Sequence, residues 1–280
     1  MRITALVENT AVEPALGSEH GLSLFIETRE HRILFDFGAS ELVAANAAAL
    51  GVDLGAVDFA VLSHGHYDHG GGLPAFLAAN TAAPIYLHEQ ALAPHYAVGP
   101  DGIERFIGVD AETIPVERLL PVAEERVVDE SVQLFAGVHG DRFWPAGNSS
   151  LYRRENGQAG RLVPDDFAHE LNMVVRESEA VVLFAGCAHC GIANILEAFA
   201  ARNGRFPTHV VGGLHLHNPS QQTDEPESVL RDLGAYLRDT GAEFFTGHCT
   251  GEAGFAALQD ELGERIRYLA GGERVTIPRV

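Results

Sequence analysis

Short apolar runs separated by polar turns dominate this chain, and they predict a succession of strands and helices. Runs at residues 2–8, 22–27 and 33–36 have the length of strands, and the charged residues 29–32 between the last two predict a hairpin. The run at 59–62 is short enough to be a buried strand that stops at a loop. The same pattern predicts further strands at 84–87, 132–135, 171–175, 180–185, 209–213 and 243–246.

Longer segments repeat their apolar residues at helical spacing. In residues 226–239, Val229, Leu230, Leu233 and Leu237 fall on one face, which is typical of a helix packed on a core. Similar spacing predicts helices at 44–50, 73–79, 191–201 and 255–262. Strands come first and then alternate with helices, so the order predicts a mixed α/β (α+β) chain with two groups of strands.

No internal repeat or interdomain linker interrupts the pattern, so a single domain over residues 1–280 is expected. The pattern is weakest around residues 88–170, which predicts a variable insertion there. Within it, residues 144–160 are rich in Gly, Asn, Ser and Arg and predict an exposed loop that covers a pocket.

Composition and charge narrow the possible partners. With 280 residues and 46% hydrophobic content the chain can bury a sizeable core. It has no apolar run of about 18 residues and no signal-like start, so neither a membrane span nor export is expected, and the cytoplasm is the expected compartment. The net charge of −20, from 39 acidic and 19 basic residues, argues against a nucleic-acid partner. A small-molecule substrate is expected, and a homo-oligomer is left open.

Residues 63–72, with the sequence SHGHYDHGGG, directly follow the predicted strand at 59–62. Alternation at a strand end would aim His64 and His66 the same way, at the separation that one metal ion needs. Asp68 and His69 are then placed to hold a second ion. Imidazole suits zinc, iron or nickel, and an added carboxylate suits a harder or bridging site. A solvated, His-rich turn is the alternative, but four potential ligands within six positions favour a metal site.

Three later segments repeat one arrangement, in which a predicted strand, a glycine and a histidine follow one another. These segments carry His189, His215 and His248. Such an arrangement puts a side chain into a cleft at a sheet edge. His215 and His217 alternate, so one of them is expected only to pack or to face solvent. The three cysteines, Cys187, Cys190 and Cys249, form an odd set that predicts reduced thiols, although Cys187–Cys190 also has the spacing of a redox pair or half a zinc site.

Taken together, these motifs resemble the metallo-β-lactamase-fold superfamily, and within it the branch named for dihydropterin-ribofuranosylaminobenzene-phosphate synthase. The resemblance rests on the segments at 6–9, 19–23, 34–36, 64–69, 186–189, 212–216 and 247–251. It covers nearly the whole chain except residues 88–170. Two positions depart from the pattern expected of the branch: Gly70 stands where Thr or Ser is expected, and Cys190 adds a thiol beside His189.

The resemblance implies a four-layer αββα sandwich with a dinuclear metal site at one edge of two sheets. It implies the metal ligands His64, His66, Asp68, His69, His189 and His248. His215, Asp36, Cys187 and His20 are then expected to bind substrate or to support the ligands. Two divalent ions are expected, with zinc favoured over iron or manganese, and Asp68 is expected to act in catalysis as well as in binding.

The function expected from a dinuclear metal site of this kind is metal-dependent hydrolysis of an ester, lactone or phosphoester bond in a small molecule. Two alternatives stay open: a pterin-forming transferase that uses the same metals, and a non-catalytic metal-binding protein. A di-iron oxidoreductase is disfavoured, because the chain leaves no room for a flavin domain. The residues that choose the substrate are expected within 88–170.

Overall fold

The structure is a computed structural model that describes residues 1–110, 114–155 and 160–278. The strands, in chain order, are β1 (Arg2–Val7), β2 (Ser23–Glu27), β3 (Arg32–Phe35), β4 (Phe59–Leu62), β5 (Ile85–His88), β6 (His95–Val98), β7 (Glu104–Phe106), β8 (Leu119–Val122), β9 (Glu125–Val127), β10 (Val132–Phe135), β11 (Leu151–Arg154), β12 (Leu162–Pro164), β13 (Asn172–Glu177), β14 (Ala180–Phe184), β15 (His209–Val211), β16 (His217–Asn218), β17 (Thr223–Asp224), β18 (Glu243–Thr246), β19 (Ile266–Tyr268) and β20 (Arg274–Thr276). The helices are α1 (Leu42–Leu50), α2 (Tyr67–Gly70), α3 (Leu73–Ala79), α4 (Ile192–Asn203), α5 (Glu227–Thr240) and α6 (Glu252–Leu262).

Two large sheets form the centre of the fold. The first has the strand order β20-β1-β2-β3-β4-β5-β8, and the second has the order β19-β18-β15-β14-β13-β10-β9. Each sheet joins an antiparallel part, which contains the predicted hairpins, to a parallel part. Parallel strands whose connections are helices are covered on both faces, which explains why their sequences read as nearly continuous apolar runs.

Alternation along the strands divides the apolar residues among three clusters and so builds four layers. Ile33 and Phe35 pack between the two sheets, against Met173 and Phe184 of the second sheet. Leu34 points the other way, into a cluster that the first sheet shares with α1 and α3. A third cluster joins the outer face of the second sheet to α4, α5 and α6. The predicted αββα sandwich is therefore confirmed.

The insertion is smaller than the weak pattern around residues 88–170 predicted, because β8, β9 and β10 belong to the two main sheets. What is added is a separate sheet with the strand order β12-β11-β6-β7. The prediction of an exposed loop at 144–160 was wrong at β11, which pairs with β6 and buries Leu151. Residues 156–159 of that loop lie outside the described residues.

Parallel pairing fixes where the functional residues can meet. β3, β4, β14, β15 and β18 all run in register with a parallel neighbour. Their carboxyl ends carry the predicted motifs, and such ends meet at one edge of a sheet. Among the helices of the described ranges, none combines the length and the apolar character needed to cross a membrane.

Phe184→Ala tests the packing between the sheets. Phe184 is fully buried, and its ring centroid lies 5.8 Å from that of Phe35. We expect the free energy of unfolding to fall by about 3–5 kcal/mol, because the surroundings cannot close the cavity. Urea denaturation of chelator-treated protein measures this loss without a contribution from bound ions. Val127→Ala, at a side chain that is 62% exposed, is the control and should cost roughly 0.5 kcal/mol or less; equal losses would contradict the prediction.

Candidate metal centre

Three histidines from the two sheets meet at the sheet edge. His64 and His66 follow β4, and His189 follows β14 in the second sheet. One nitrogen from each ring lies within 4.8 Å of the other two. The Nε2 atom of each ring is buried and has no hydrogen-bond partner among the described residues. Buried, unpaired imidazole nitrogens call for an explanation, and a shared metal ion is one that this donor set fits.

A second group adjoins the first and consists of Asp68, His69, His248 and Cys187, with one donor atom of each within 4.8 Å of the others. His69 Nε2 lies 3.2 Å from His248 Nε2 and 3.1 Å from Cys187 Sγ. Asp68 Oδ2 lies 3.2 Å from His248 Nε2 and 3.6 Å from His69 Nε2. Donor atoms that share one ion at about 2.0–2.3 Å are separated by roughly these distances. The residues present therefore fit a divalent transition-metal ion here as well.

Most of these histidines are held by an oxygen at the nitrogen that faces away from the group. The Nδ1 contacts are His64 with Ser63 Oγ at 2.9 Å, His69 with Asp36 Oδ2 at 2.7 Å, His189 with Asn148 Oδ1 at 3.1 Å and His248 with Asn9 Oδ1 at 2.9 Å. A proton donated from Nδ1 leaves the Nε2 lone pair free for a ligand bond and fixes the orientation of the ring.

Asp36 is at the centre of this support. Its carboxylate is fully buried, and it accepts hydrogen bonds from the Ser63 backbone N–H, the Ser63 hydroxyl and His69 Nδ1, each at 2.7 Å. The backbone of Asp36 has a φ of 60°, in the left-handed region, so the turn after β3 is held in an unusual conformation. Asp36 thus lies where the role expected for it, fixing a ligand histidine, would require.

Asp36→Asn tests that role. The amide NH₂ group cannot accept the hydrogen bonds that the carboxylate accepts, so His69 loses its fixed orientation. We expect metal affinity to fall by about 10–100-fold, measured by competition with a chromophoric chelator. Asp58→Asn is the matched control, since Asp58 is exposed and its carboxylate accepts a hydrogen bond from the Arg32 N–H at the start of β3. Equal affinities for the two variants would remove Asp36 from the metal centre.

Two buried glutamates hold the loops that carry the late histidines, and the sequence analysis missed both roles. Glu8 Oε1 accepts hydrogen bonds from the His248 backbone N–H at 2.5 Å and the Tyr268 hydroxyl at 2.8 Å. Glu170 accepts from the backbone N–H groups of His189 and Cys190, at 2.6 and 3.0 Å. The sequence signal for these roles was position: Glu8 directly follows the first apolar strand, and Glu170 directly precedes the apolar run at 171–175.

Asn148 was also missed, because it lies in the segment predicted to be an exposed loop. Its side chain is 5% exposed, and its amide donates to the His189 backbone carbonyl at 2.8 Å while its Oδ1 faces His189 Nδ1. Asn9 belongs to one of the motifs behind the family resemblance, but nothing in its spacing predicted a contact with His248.

Electrostatics differ between the two groups. Burial, followed by the charge of neighbouring histidines, holds the pKa of His64, His66 and His189 well below the ordinary value, so these rings are neutral and their lone pairs are available. Burial alone would also lower the pKa of His69, but the carboxylates of Asp36 and Asp68 raise it to about 9. The second group of the metal-free protein therefore holds a proton that a cation can replace.

The three cysteines have different surroundings. Cys187 belongs to the second donor group, while the Cys190 thiol faces the Phe167 carbonyl at 3.7 Å. Burial and then the carboxyl of Glu170 raise the pKa of Cys190. Cys190 takes part in no donor group formed by the described residues, so the pair does not act as a unit on one ion.

A cavity of about 380 Å³ opens beside both groups. Its lining includes His20, Tyr67, Phe106, Leu151, His189 and His215. His20 Nε2 lies 3.3 Å from Asp68 Oδ2, with a third of its side chain exposed. Tyr67 and Phe106 are 42% and 51% exposed, so their rings are available at the mouth. This volume is within the range of small-molecule sites, and Phe106 and Leu151 of the added sheet line one wall.

Another cluster, formed by His95 of the added sheet with Asp165 and His169, shares His66 with the first donor group and was not predicted. Asp165 Oδ2 lies 2.9 Å from His95 Nδ1 and 3.3 Å from His169 Nε2. His169 Nδ1 accepts the backbone N–H of Gly65 at 3.0 Å, so the proton of the neutral ring is on Nε2, facing Asp165. The cluster therefore holds the backbone between His64 and His66.

The departure at Gly70 has a steric explanation. A Cβ atom added to Gly70 would lie 2.4 Å from Val109 Cγ2. The Val109 side chain occupies the space that a Ser or Thr side chain would need, and it is buried there.

Comparison with known proteins finds relatives with the same fold. The model of the metallo-β-lactamase superfamily matches residues 16–147. An uncharacterized protein of Methanocaldococcus jannaschii is 28% identical over 253 residues, 89% of this chain and 90% of that protein. A protein of the same organism named 7,8-dihydropterin-6-methyl-4-(β-D-ribofuranosyl)-aminobenzene-5′-phosphate synthase is 26% identical over 270 residues, 91% and 89% of the two chains. A crystal structure described as a metal-dependent hydrolase of the β-lactamase superfamily shares 28% identity and a TM-score of 0.81, over 99% of both chains.

Proposed function

We propose that this chain, which has the metallo-β-lactamase fold, is a metal-dependent hydrolase of an ester, lactone or phosphoester bond in a small molecule. The observation that carries the proposal is the meeting of two buried donor groups at one end of a small-molecule-sized cavity. A fold does not specify a reaction, so the argument rests on these groups.

In this proposal His64, His66 and His189 hold one ion, and Asp68, His69 and His248 hold the other together with Cys187. Bound divalent ions supply Lewis acidity and an activated water molecule at neutral pH. Imidazole with a thiol favours zinc, and iron or manganese would compete for the carboxylate-containing group.

Asp68 has the further role of a proton acceptor at the attacking water. Burial would raise its pKa, but the charge of His69 and a hydrogen bond from His20 hold the pKa well below the ordinary value. Asp68 is therefore ionised at neutral pH and can orient a water O–H. His20, at the cavity wall, keeps a proton at Nε2 facing Asp68, because that carboxylate outweighs burial and raises the pKa of His20. From there it can donate to the oxygen of a bound substrate.

Assays of the zinc-loaded and manganese-loaded protein against panels of esters, lactones and phosphodiesters test the proposal. We expect turnover on one class, with the other classes slower, and loss of that turnover in Asp68→Ala. Asp232→Ala, on the exposed face of α5, is the matched control and should retain the activity. Metal-loaded protein that turns over none of the three panels would refute the hydrolase assignment.

The synthase name of one relative supports a second candidate, a transferase that forms the pterin compound in that name. Incubation of the metal-loaded protein with a dihydropterin and ribofuranosylaminobenzene phosphate, followed by mass spectrometry of the product, tests it. Product formation without hydrolysis of the panels would favour the transferase. Metal binding with neither activity would favour the non-catalytic alternative.

A further inference from the structure

Besides the two groups proposed to hold ions and the cluster of His95, Asp165 and His169, a further donor group lies at this edge, and neither proposed ion accounts for His215 and Cys249. Cys187, His215 and Cys249 each place one donor atom within 4.8 Å of the other two. All three residues are buried, with exposed fractions of 3%, 6% and 3%. Cys187 also belongs to the second donor group, so the new group extends the centre rather than standing apart from it.

The ring nitrogens of His215 point to a bound ligand. Both of its ring nitrogens are buried, and neither has a hydrogen-bond partner among the described residues. A neutral imidazole has one N–H donor and one lone pair, and leaving both unpaired in a buried site destabilises the protein. The backbone of His215 has a φ of 49°, which L-residues seldom adopt, so the surrounding structure holds the residue in place at a cost.

Cys249 has the surroundings of a metal-binding thiolate. Its sulfur accepts the backbone N–H of His215 at 3.2 Å, and in the thiol form its S–H donates to the Cys187 carbonyl oxygen at 3.7 Å. Gly213 leaves room for it, since a Cβ atom added there would lie 2.4 Å from the Cys249 sulfur. A backbone N–H directed at sulfur favours the thiolate, the form in which cysteine binds metals.

We propose that Cys187, His215 and Cys249 bind a third ion of thiophilic character, such as Zn²⁺ or Cd²⁺, with the Cys187 sulfur shared with the neighbouring ion. Two sulfurs and one imidazole are a soft donor set, unlike the imidazole and carboxylate donors around it. A disulfide between the two cysteines is the competing explanation of their proximity. It explains less, because it would leave both nitrogens of His215 without a partner. The proposal concerns ion binding and does not depend on the reaction assigned above.

Cadmium loading tests the proposal, because Cd²⁺ bound to thiolate absorbs in the near ultraviolet. The reduced protein is loaded with excess Cd²⁺ and desalted, and ions per chain are counted by elemental analysis while the thiolate band is recorded. We expect Cys249→Ser and, independently, His215→Gln to lose one ion per chain relative to the parent protein, and Cys249→Ser to lose most of the band. Cys190→Ser is the matched control and should keep both the ion count and the band.

Unchanged ion count and band in Cys249→Ser, with native circular dichroism, would overturn the proposal. Protein isolated without reductant that is lighter by two hydrogen atoms and binds no extra ion after reduction would overturn it in favour of the disulfide. His64→Ala separates this inference from the proposed hydrolase. That variant should lose an ion and its hydrolysis but keep the thiolate band. If Cys249→Ser loses one ion while the parent protein hydrolyses no panel substrate, the third-ion proposal is supported and the hydrolase proposal fails.

Discussion

His248→Ala is expected to lose one bound ion per chain and nearly all hydrolytic activity. The His248 ring reaches both His69 and Asp68 through Nε2, and its other nitrogen is held by Asn9. Removing it opens the second donor group and leaves the carboxylate of Asp68 without one of its buried partners. Since loss of a supporting residue typically costs about 10–100-fold, we expect loss of a ligand to cost more than the upper end of that range.

Elemental analysis of His248→Ala and its turnover on the best panel substrate provide the measurement. His209→Ala is the control, because His209 is a partly buried histidine of β15 that belongs to no donor group formed by the described residues. It should keep every ion and the activity. A His248→Ala protein with the ion content of the parent would show that His248 is not a ligand. If that protein kept its ions but lost its activity, His248 would have a role in the chemistry alone.

Removing the metals from the whole protein is expected to abolish activity and to lower thermal stability strongly. Ions that bind the native chain, in free excess of 1,000 times their dissociation constant, stabilise it by about 4.1 kcal/mol for each independent site. At about 2–4 °C for each kcal/mol in chains of this size, one site contributes roughly 8–16 °C to Tm. The effect should be large because removing the ions leaves the buried Nε2 atoms of His64, His66 and His189 without any partner.

Thermal melts and activity assays before chelation, after it, and after zinc is returned provide the measurement. Zinc should restore both properties. The double variant His64→Ala/His248→Ala is the matched control, and chelation should change its Tm much less than that of the parent protein. A parent protein that keeps its Tm and its activity through exhaustive chelation would exclude a role for metals in either property.

Hydrophobic patterning alone predicted a mixed α/β chain with two groups of strands, while the four-layer sandwich was implied by the family resemblance. Ile33, Leu34 and Phe35 are consecutive and buried, and the period of two along a strand sends the outer pair into one core and Leu34 into another. Strands buried on both faces read as apolar runs, and the helices between them show their own period. The fold class therefore followed from local patterns.

The H-x-H-x-D-H motif was also readable from local spacing, because a strand end and a short turn decide which way its side chains point. The structure divides its members as expected, His64 and His66 to one group and Asp68 and His69 to the other. Their binding of ions stays a prediction. His189 and His248 join the groups because parallel strands end at one edge, which the strand–glycine–histidine pattern anticipated.

Tertiary structure decided which residues support the histidines and which cysteine joins them. Glu8 contacts the backbone of His248 from 240 positions away, and Asn148 reaches His189 from a segment whose composition predicted solvent exposure. Cys187 and Cys190 are three residues apart, yet only Cys187 lies among the metal donors. Local spacing fixes the direction of a side chain relative to its own strand, whereas contacts across the two sheets depend on how the sheets pack. For that reason the sequence determined the strands, the helices and the strand ends that carry the histidines, and the packed structure decided which side chains meet at their common edge.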